Sequence, residues 1–312
     1  MIDFCNQYGM EMNFKKTMFM VINGTECDRS NISIDDKTIT HCIKYTYLGA
    51  TIYEDASFHQ FIEEHVANKN KNILKFYSFL NKNIDLPFTL KYRVFEACLL
   101  SSFLYSSETW FHDRYGKLNT VYMSAVKALL GVRASCHNIS ALIESGLSNL
   151  SALIKERQYK FYKKLINSRE HMTDDPFMHM LKTARENRSP AARYLDNLLK
   201  ATDVSFIQSD YQAMTELVRQ SLSSKLITYR EMNADLTRHS MYDDYRIPEF
   251  RRISVTRFRT SCHRLKIETG RWSRVPRDRR LCTCGRDQNS RRSERYRIVL
   301  SSDQFETYLF GP

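Results

Sequence analysis

The sequence predicts a mainly α protein with a small α/β part at its amino terminus. Three observations predict it. β-prone residues cluster before residue 55; beyond that point apolar residues recur at spacings of three and four; and 312 residues at 42% hydrophobic and 26% charged composition suffice for more than one packed core.

Residues 1 to about 55 alternate a short helix with two stretches rich in Thr, Ile, Val and Tyr, 17–22 and 38–52. Asn23, Gly24 and the Asp35–Asp36 pair mark turns between them. From Phe58 the period changes. Phe58, Ile62, His65, Val66, Ile73, Phe76, Tyr77 and Leu80 fall on one helical face until Pro87 interrupts. Leu90, Val94, Ala97, Cys98, Leu100 and Leu104 define a second face, and Val121, Ala125, Ala128, Leu129 and Leu130 a third that stops near Gly131. Past Cys136 the same period continues through Ile143 and Leu147, Leu195 to Leu199, and Leu217 to Leu226, with breaks at 174–176 and 189–190. Pro248 opens a basic stretch. Four segments are expected: 1–55, 56–135, 136–245 and an Arg-rich 246–312.

The net charge of +12 belongs to one place. Between Arg246 and Arg297, 17 Lys and Arg face 5 Asp and Glu, so the rest of the chain sums to about zero. Such a block suits a polyanion, because neutralised phosphates release condensed counterions without any reading of bases. The eight cysteines, Cys5, Cys27, Cys42, Cys98, Cys136, Cys262, Cys282 and Cys284, are scattered as reduced thiols would be and not as a disulfide framework. With no secretory start and no long apolar run, the expected setting is intracellular, nucleus or cytoplasm, with no membrane contact.

Motifs at the front of the chain carry a resemblance. Asp3, Phe4, Cys5, Tyr8 and Gly9 lead into Asn13, Lys16 and Thr17, then an apolar run over 18–22, and later Tyr45, Tyr47, Leu48 and Gly49. That order resembles the palm of the endonuclease and reverse transcriptase proteins of non-LTR, LINE-type retrotransposons, entered part-way. The resemblance implies the edge of a reverse-transcriptase palm followed by a helical thumb and a helical carboxy-terminal domain. It makes Lys16 an accessory cation for the leaving pyrophosphate and Tyr47, Leu48 and Gly49 a hairpin at the primer end. The family's paired catalytic aspartates, which hold magnesium in the intact enzyme, would lie upstream of Met1. No catalytic residue and no cofactor are therefore expected here.

Two further stretches extend the resemblance. Ser107, Glu108, Thr109 and Trp110, after Leu104 and Tyr105, are similar to a Tyr-Gly-x-Glu-x-Trp signature of the thumb, from which Ser106 and Ser107 depart. Glu108 and Trp110 read physically as a buried carboxylate and an aromatic anchor between helices. Arg259, Ser261, His263, Leu265, Ile267, Glu268, Gly270 and Arg271 match a family segment that leads into a zinc-knuckle-like element. Cys282 and Cys284 supply its first half, but no His or Cys follows, so a four-ligand zinc site is not expected. The family pattern is lost from about Arg286. Contacts to RNA and DNA are expected at Tyr47, Leu48, Gly49, Arg257, Arg259, His263, Arg271 and Arg274.

Two look-alikes are set aside. Tyr242, Asp243, Asp244 and Tyr245 have an aspartate pair, but Arg246, Ile247 and Pro248 follow instead of an apolar strand. The aromatics and cations over 157–164 read as an amphipathic helix with Ile154, Phe161 and Leu165 on its apolar face. The expected function is a truncated RNA-directed DNA polymerase fragment that binds nucleic acid without synthesis. The alternatives are a helical protein-interaction or structural protein, or a relic reading frame that folds poorly.

Overall fold

The computed structural model describes residues 2–11, 13–14, 16–34, 37–56, 58–110, 115–169, 171, 174–200, 205–263 and 273–275. The chain is mostly helical with a small strand region near its amino terminus. It divides into two compact units, Met1–Lys71 and Asn72–Pro312.

The first unit opens with α1 (Ile2–Gln7) and holds β1 (Met18–Phe19), β2 (Ile32–Ile34), β3 (Lys37–His41), β4 (Lys44–Tyr47) and β5 (Ala50–Tyr53). β3 is central in a three-stranded sheet, parallel to β1 with Met18 opposite Thr40, and antiparallel to β2 with Ile32 opposite Ile39. β4 and β5 form a separate hairpin. The strand expected over 17–22 is only two residues long, and 38–52 is divided among three strands. Both differences arise from local reversals. Asn23 has φ 55°, Cys42 and Ile43 leave the β3 ladder, and Leu48–Gly49 turns the chain back. β2 is exposed on both faces and too short to leave a period in the sequence. Glu54 ties these pieces together. Its carboxylate pairs with Arg29 at 2.7 Å and His41 at 3.3 Å, and its carbonyl accepts the Asn23 N–H at 2.8 Å.

The boundary between the units falls inside α2 (Phe58–Lys82). In the second unit α3 (Phe88–Val94) runs into a π-helical stretch, Phe95–Leu100, and then α4 (Ser101–Phe103). The buried positions are Phe88, Lys91, Phe95, Leu99 and Phe103, whereas Leu90, Ala97 and Cys98 of the expected face are exposed. The wide π turn, with its i→i+5 bonds, keeps side chains four apart on one face through Phe103. The inward Lys91 hid this stripe from the sequence. Its ammonium donates to the Ile84 carbonyl at 2.9 Å and to Glu249 at 3.0 Å, so the charge enters the core with partners.

After a 3₁₀ turn at Ser107–Thr109 come α5 (Gly116–Leu130), α6 (Asn138–Ser145), α7 (Leu150–Arg169), α8 (Pro176–Glu186), α9 (Pro190–Leu199), α10 (Phe206–Gln220), α11 (Ser224–Met232) and α12 (Glu249–Arg259). The breaks read at 174–176 and 189–190 are helix starts. Asp175 and Ser189 accept N–H bonds from Met178 and Ala192, each followed by proline at the first helical position. Tyr162, Leu181, Leu195 and Leu198 knit α7, α8 and α9; Ile143, Val218, Leu226, Tyr229 and Leu236 do the same for α6, α10 and α11.

α12 completes the unit. Arg252 forks onto both oxygens of Glu249 at 2.7 Å and reaches the Leu130 carbonyl, while Arg257 donates to the Gly131 carbonyl at 2.7 Å. Two cations thus finish the carboxyl end of α5, where the helix dipole favours positive charge. Gly131 itself has φ +71°, and a Cβ there would lie 2.9 Å from Ile253. Gly131→Ala is expected to lower stability by about 1–3 kcal/mol. An unchanged urea midpoint would contradict that packing.

Candidate nucleic-acid interface

The first unit presents Lys16, expected at the leaving pyrophosphate, and the hairpin residues Tyr47, Leu48 and Gly49, expected at the primer end. Lys16 is exposed on a tight turn in which the Asn13 carbonyl accepts the N–H groups of Lys16 and Thr17, both at 3.0 Å, and the Thr17 hydroxyl at 2.9 Å. Thr17 then leads directly into β1. On the β4–β5 hairpin, Tyr47 pairs with Ala50 across a turn whose residues Leu48 and Gly49 have φ 48° and 83°. Two positive φ values in a row are what a tight I′ hairpin needs, which is why glycine stands there. Tyr47 is 61% exposed and Leu48 74%. The base of the hairpin is anchored by Lys44, which pairs with Glu64 at 2.8 Å, while burial pushes the Tyr53 hydroxyl up to about 12.

Of the Glu108 and Trp110 signature, Trp110 turns inward, whereas Glu108, expected as a buried carboxylate, stays partly exposed. Trp110 is 1% exposed, and the Gln158 amide donates to the carbonyls of Ser107, at 2.9 Å, and Trp110. Tyr194 donates to the other end of that amide at 2.8 Å, and Glu108 pairs with Arg157. These bonds dock the 3₁₀ turn on α7, so both residues serve helix packing. α7 turns a different face inward from the one expected: Tyr162 is buried and Phe161 is 43% exposed. Ile154, Gln158 and Tyr162, spaced by four, set the phase, and a buried glutamine in the middle disguised it.

The basic segment departs most from expectation. Arg259 is buried, donating to Glu144 at 2.7 Å and to the Met232 carbonyl at 3.1 Å, so it is not on a surface that phosphate reaches. Arg252 is buried too. Arg257 is exposed but bonded to the α5 end, His263 is half-buried with its ring 5.3 Å from Phe258, and Arg274 is exposed with φ 51°. Arg271, Cys282 and Cys284 lie outside the described residues, as do 11 of the 17 cations between Arg246 and Arg297. What the sequence reading missed is the interior role of this charge. Glu249, one residue after Pro248 and three before Arg252, is a local signal that could have exposed it.

The aspartates of the look-alike are engaged by arginines. Tyr242 is buried, Asp243 pairs with Arg238 at 2.7 Å, and Asp244 takes both arms of Arg246 at 2.9 Å. Those Arg246 hydrogen bonds hold the Asp244 carboxyl down to about 2. Among the described residues no group of three His, Cys, Asp or Glu side chains could hold a metal ion, and no helix is long and apolar enough to cross a membrane. Comparison with known proteins adds no relative. Nothing matches the chain: no family model, no curated protein and no solved structure. The chemistry available is the chain's own: an exposed cation and an exposed aromatic hairpin tip in the first unit, and a basic block whose described part is largely committed to folding.

Proposed function

We propose that the chain is part of a non-LTR retrotransposon reverse transcriptase, retaining a grip on RNA and DNA but not the paired aspartates of the polymerase. The observation that carries this reading is the tip of the β4–β5 hairpin. An aromatic and an aliphatic side chain stand out to solvent there, and the adjacent glycine permits a sugar or backbone to approach closely. Lys16 adds an exposed cation in the same unit. In this reading 1–55 is a palm edge, 56–135 the thumb and 136–245 the carboxy-terminal helical domain. Magnesium belongs to the intact polymerase, and the fragment has no use for zinc.

The test is fluorescence anisotropy with single-stranded RNA and an RNA–DNA duplex across a salt series. Tyr47→Ala should weaken duplex binding about tenfold, the equivalent of one lost stacking contact of about 1–3 kcal/mol, without changing the melting temperature. Equal affinity of this variant and the parent would remove the hairpin from the interface. Primer extension with magnesium should give no product from the pure chain, and robust incorporation would overturn the reading. A helical protein-interaction role is the second reading, favoured by the exposed Leu217 on α10 and the exposed Leu222 beyond it. It gains if no nucleic acid binds at low salt.

A further inference from the structure

Independently of the nucleic-acid reading, two histidines hold the same kind of post in the second unit. His137 stands immediately before α6, and His239 immediately before a 3₁₀ turn, Ser240–Tyr242. Through Nδ1 each ring accepts a backbone N–H two residues on, that of Ile139 at 3.3 Å and that of Met241 at 3.0 Å. Both are N-cap bonds, which answer donors that the turn itself leaves unpaired. Serine or asparagine would cap with an oxygen that does not titrate. An imidazole caps only with the lone pair on Nδ1, and therefore only while it is neutral. Histidine in both posts makes both caps conditional on pH.

The two caps lead into one buried network. α6 carries Glu144, and the 3₁₀ turn carries Tyr242, whose hydroxyl donates to Glu144 at 2.8 Å. α12 closes the network with Arg259 on the other Glu144 oxygen at 2.7 Å and the Thr256 hydroxyl 2.7 Å from that of Tyr242. The charges that face His137 are cationic. Lys127 of α5 and Lys225 of α11 donate to the carbonyls of Ala134 and Ser135 just before it, at 2.8 and 2.5 Å, and Arg257 of α12 holds the Gly131 carbonyl of the same connection. α10 places its Asp210 on Asn149, beyond the far end of α6. His239 faces Arg259 and Glu144, while its neighbours Arg238 and Asp243 pair with each other at 2.7 Å. Desolvation and the two lysines hold His137 below the ordinary histidine value; desolvation and Arg259 do the same for His239, against the pull of Glu144. His137 is half-buried and His239 exposed, so the larger response belongs to His137.

We propose that His137 and His239 are an acid-released latch: when the rings take a proton, the Ile139 and Met241 N–H groups lose their acceptors, and α6 and the 240–242 turn loosen their hold on α12. The sign follows from the neutral rings. The unfolded chain takes up protons at these histidines as pH falls through about 6.5, whereas the folded chain resists until lower pH. Stability present above 6.5 is therefore lost on the way down. Each proton taken by the unfolded form alone lowers the folding constant about tenfold per pH unit. Once charged, His137 joins Lys127 and Lys225 as a like charge and His239 joins Arg259, so both rings are driven from their posts.

The experiment follows the imidazole C–H signals of the full-length chain by NMR across pH and, on the same samples, amide exchange at Ile139, Met241 and Arg259. Both histidines are expected to titrate below 6.5. Exchange at the three amides, corrected for its intrinsic pH dependence, should rise about tenfold between about pH 7 and about pH 5.5. The double variant His137→Asn, His239→Asn keeps a capping oxygen without a titrating ring, so its exchange should stay level and its urea midpoint should fall less with acid than that of the parent. Titration of both rings at or above 6.5, or the same acid-induced exchange in the double variant, overturns the proposal. Should the double variant not fold, the ring titration and amide exchange of the unaltered chain decide the question.

Discussion

Glu144→Ala is expected to destabilise the Asn72–Pro312 unit by about 3–5 kcal/mol, because it leaves a guanidinium in the core with its charge unanswered. Glu144 is fully buried. One of its oxygens accepts Arg259 at 2.7 Å and the other the Tyr242 hydroxyl at 2.8 Å, which itself lies 2.7 Å from the Thr256 hydroxyl. The Met232 carbonyl is a dipole and cannot replace a carboxylate. Urea denaturation followed by far-UV circular dichroism measures the loss, and a shift below about 1 kcal/mol would contradict a buried pair. Pairing Glu144→Leu with Arg259→Met should recover most of the stability, since neither charge then has to leave water.

Removing residues 264–312 is expected to abolish most of the salt-dependent affinity for nucleic acid while leaving the fold intact. The cut keeps α12, whose cations hold the unit together, and takes away 12 Lys and Arg with 6 Asp and Glu. A cut at residue 246 would remove Glu249, Arg252 and Arg259 and would confuse unfolding with lost binding. Each phosphate neutralised on a single strand contributes about −0.7 to the slope of log affinity against log salt, so a net +6 predicts a flattening of about 4. An unchanged slope in a folded truncation would place binding elsewhere.

Much of the helical part was legible because Phe58 to Leu80 and Val121 to Leu130 repeat with little interference. The phases of two helices were not legible, and for one reason. Lys91 and Gln158 occupy inward positions that a hydrophobic pattern rejects, and each is satisfied by atoms distant in sequence, Glu249 in one case and the Ser107 and Trp110 carbonyls in the other. The same blindness affected the basic segment. Charge counting treats Arg259 like any surface arginine, because its partner Glu144 lies more than a hundred positions upstream, as does the Leu130 carbonyl that Arg252 reaches besides Glu249. At the candidate interface the hairpin turn was implied only by the resemblance, since the residues alone read as one stretch over 38–52 and Leu48, at φ 48°, carries no turn signal of its own.

The docking of α12 also sets a timetable for synthesis. Lys91 and Glu144 leave the ribosome long before their counter-ions, which follow 158 and 115 residues later. Until Glu249 and Arg259 have emerged, α3 and α6 have to keep those charges in water, so their burial is postponed until α12 has been made. The second unit therefore locks late and all at once, and a chain interrupted before residue 249 exposes its unfinished interior to chaperones and proteases.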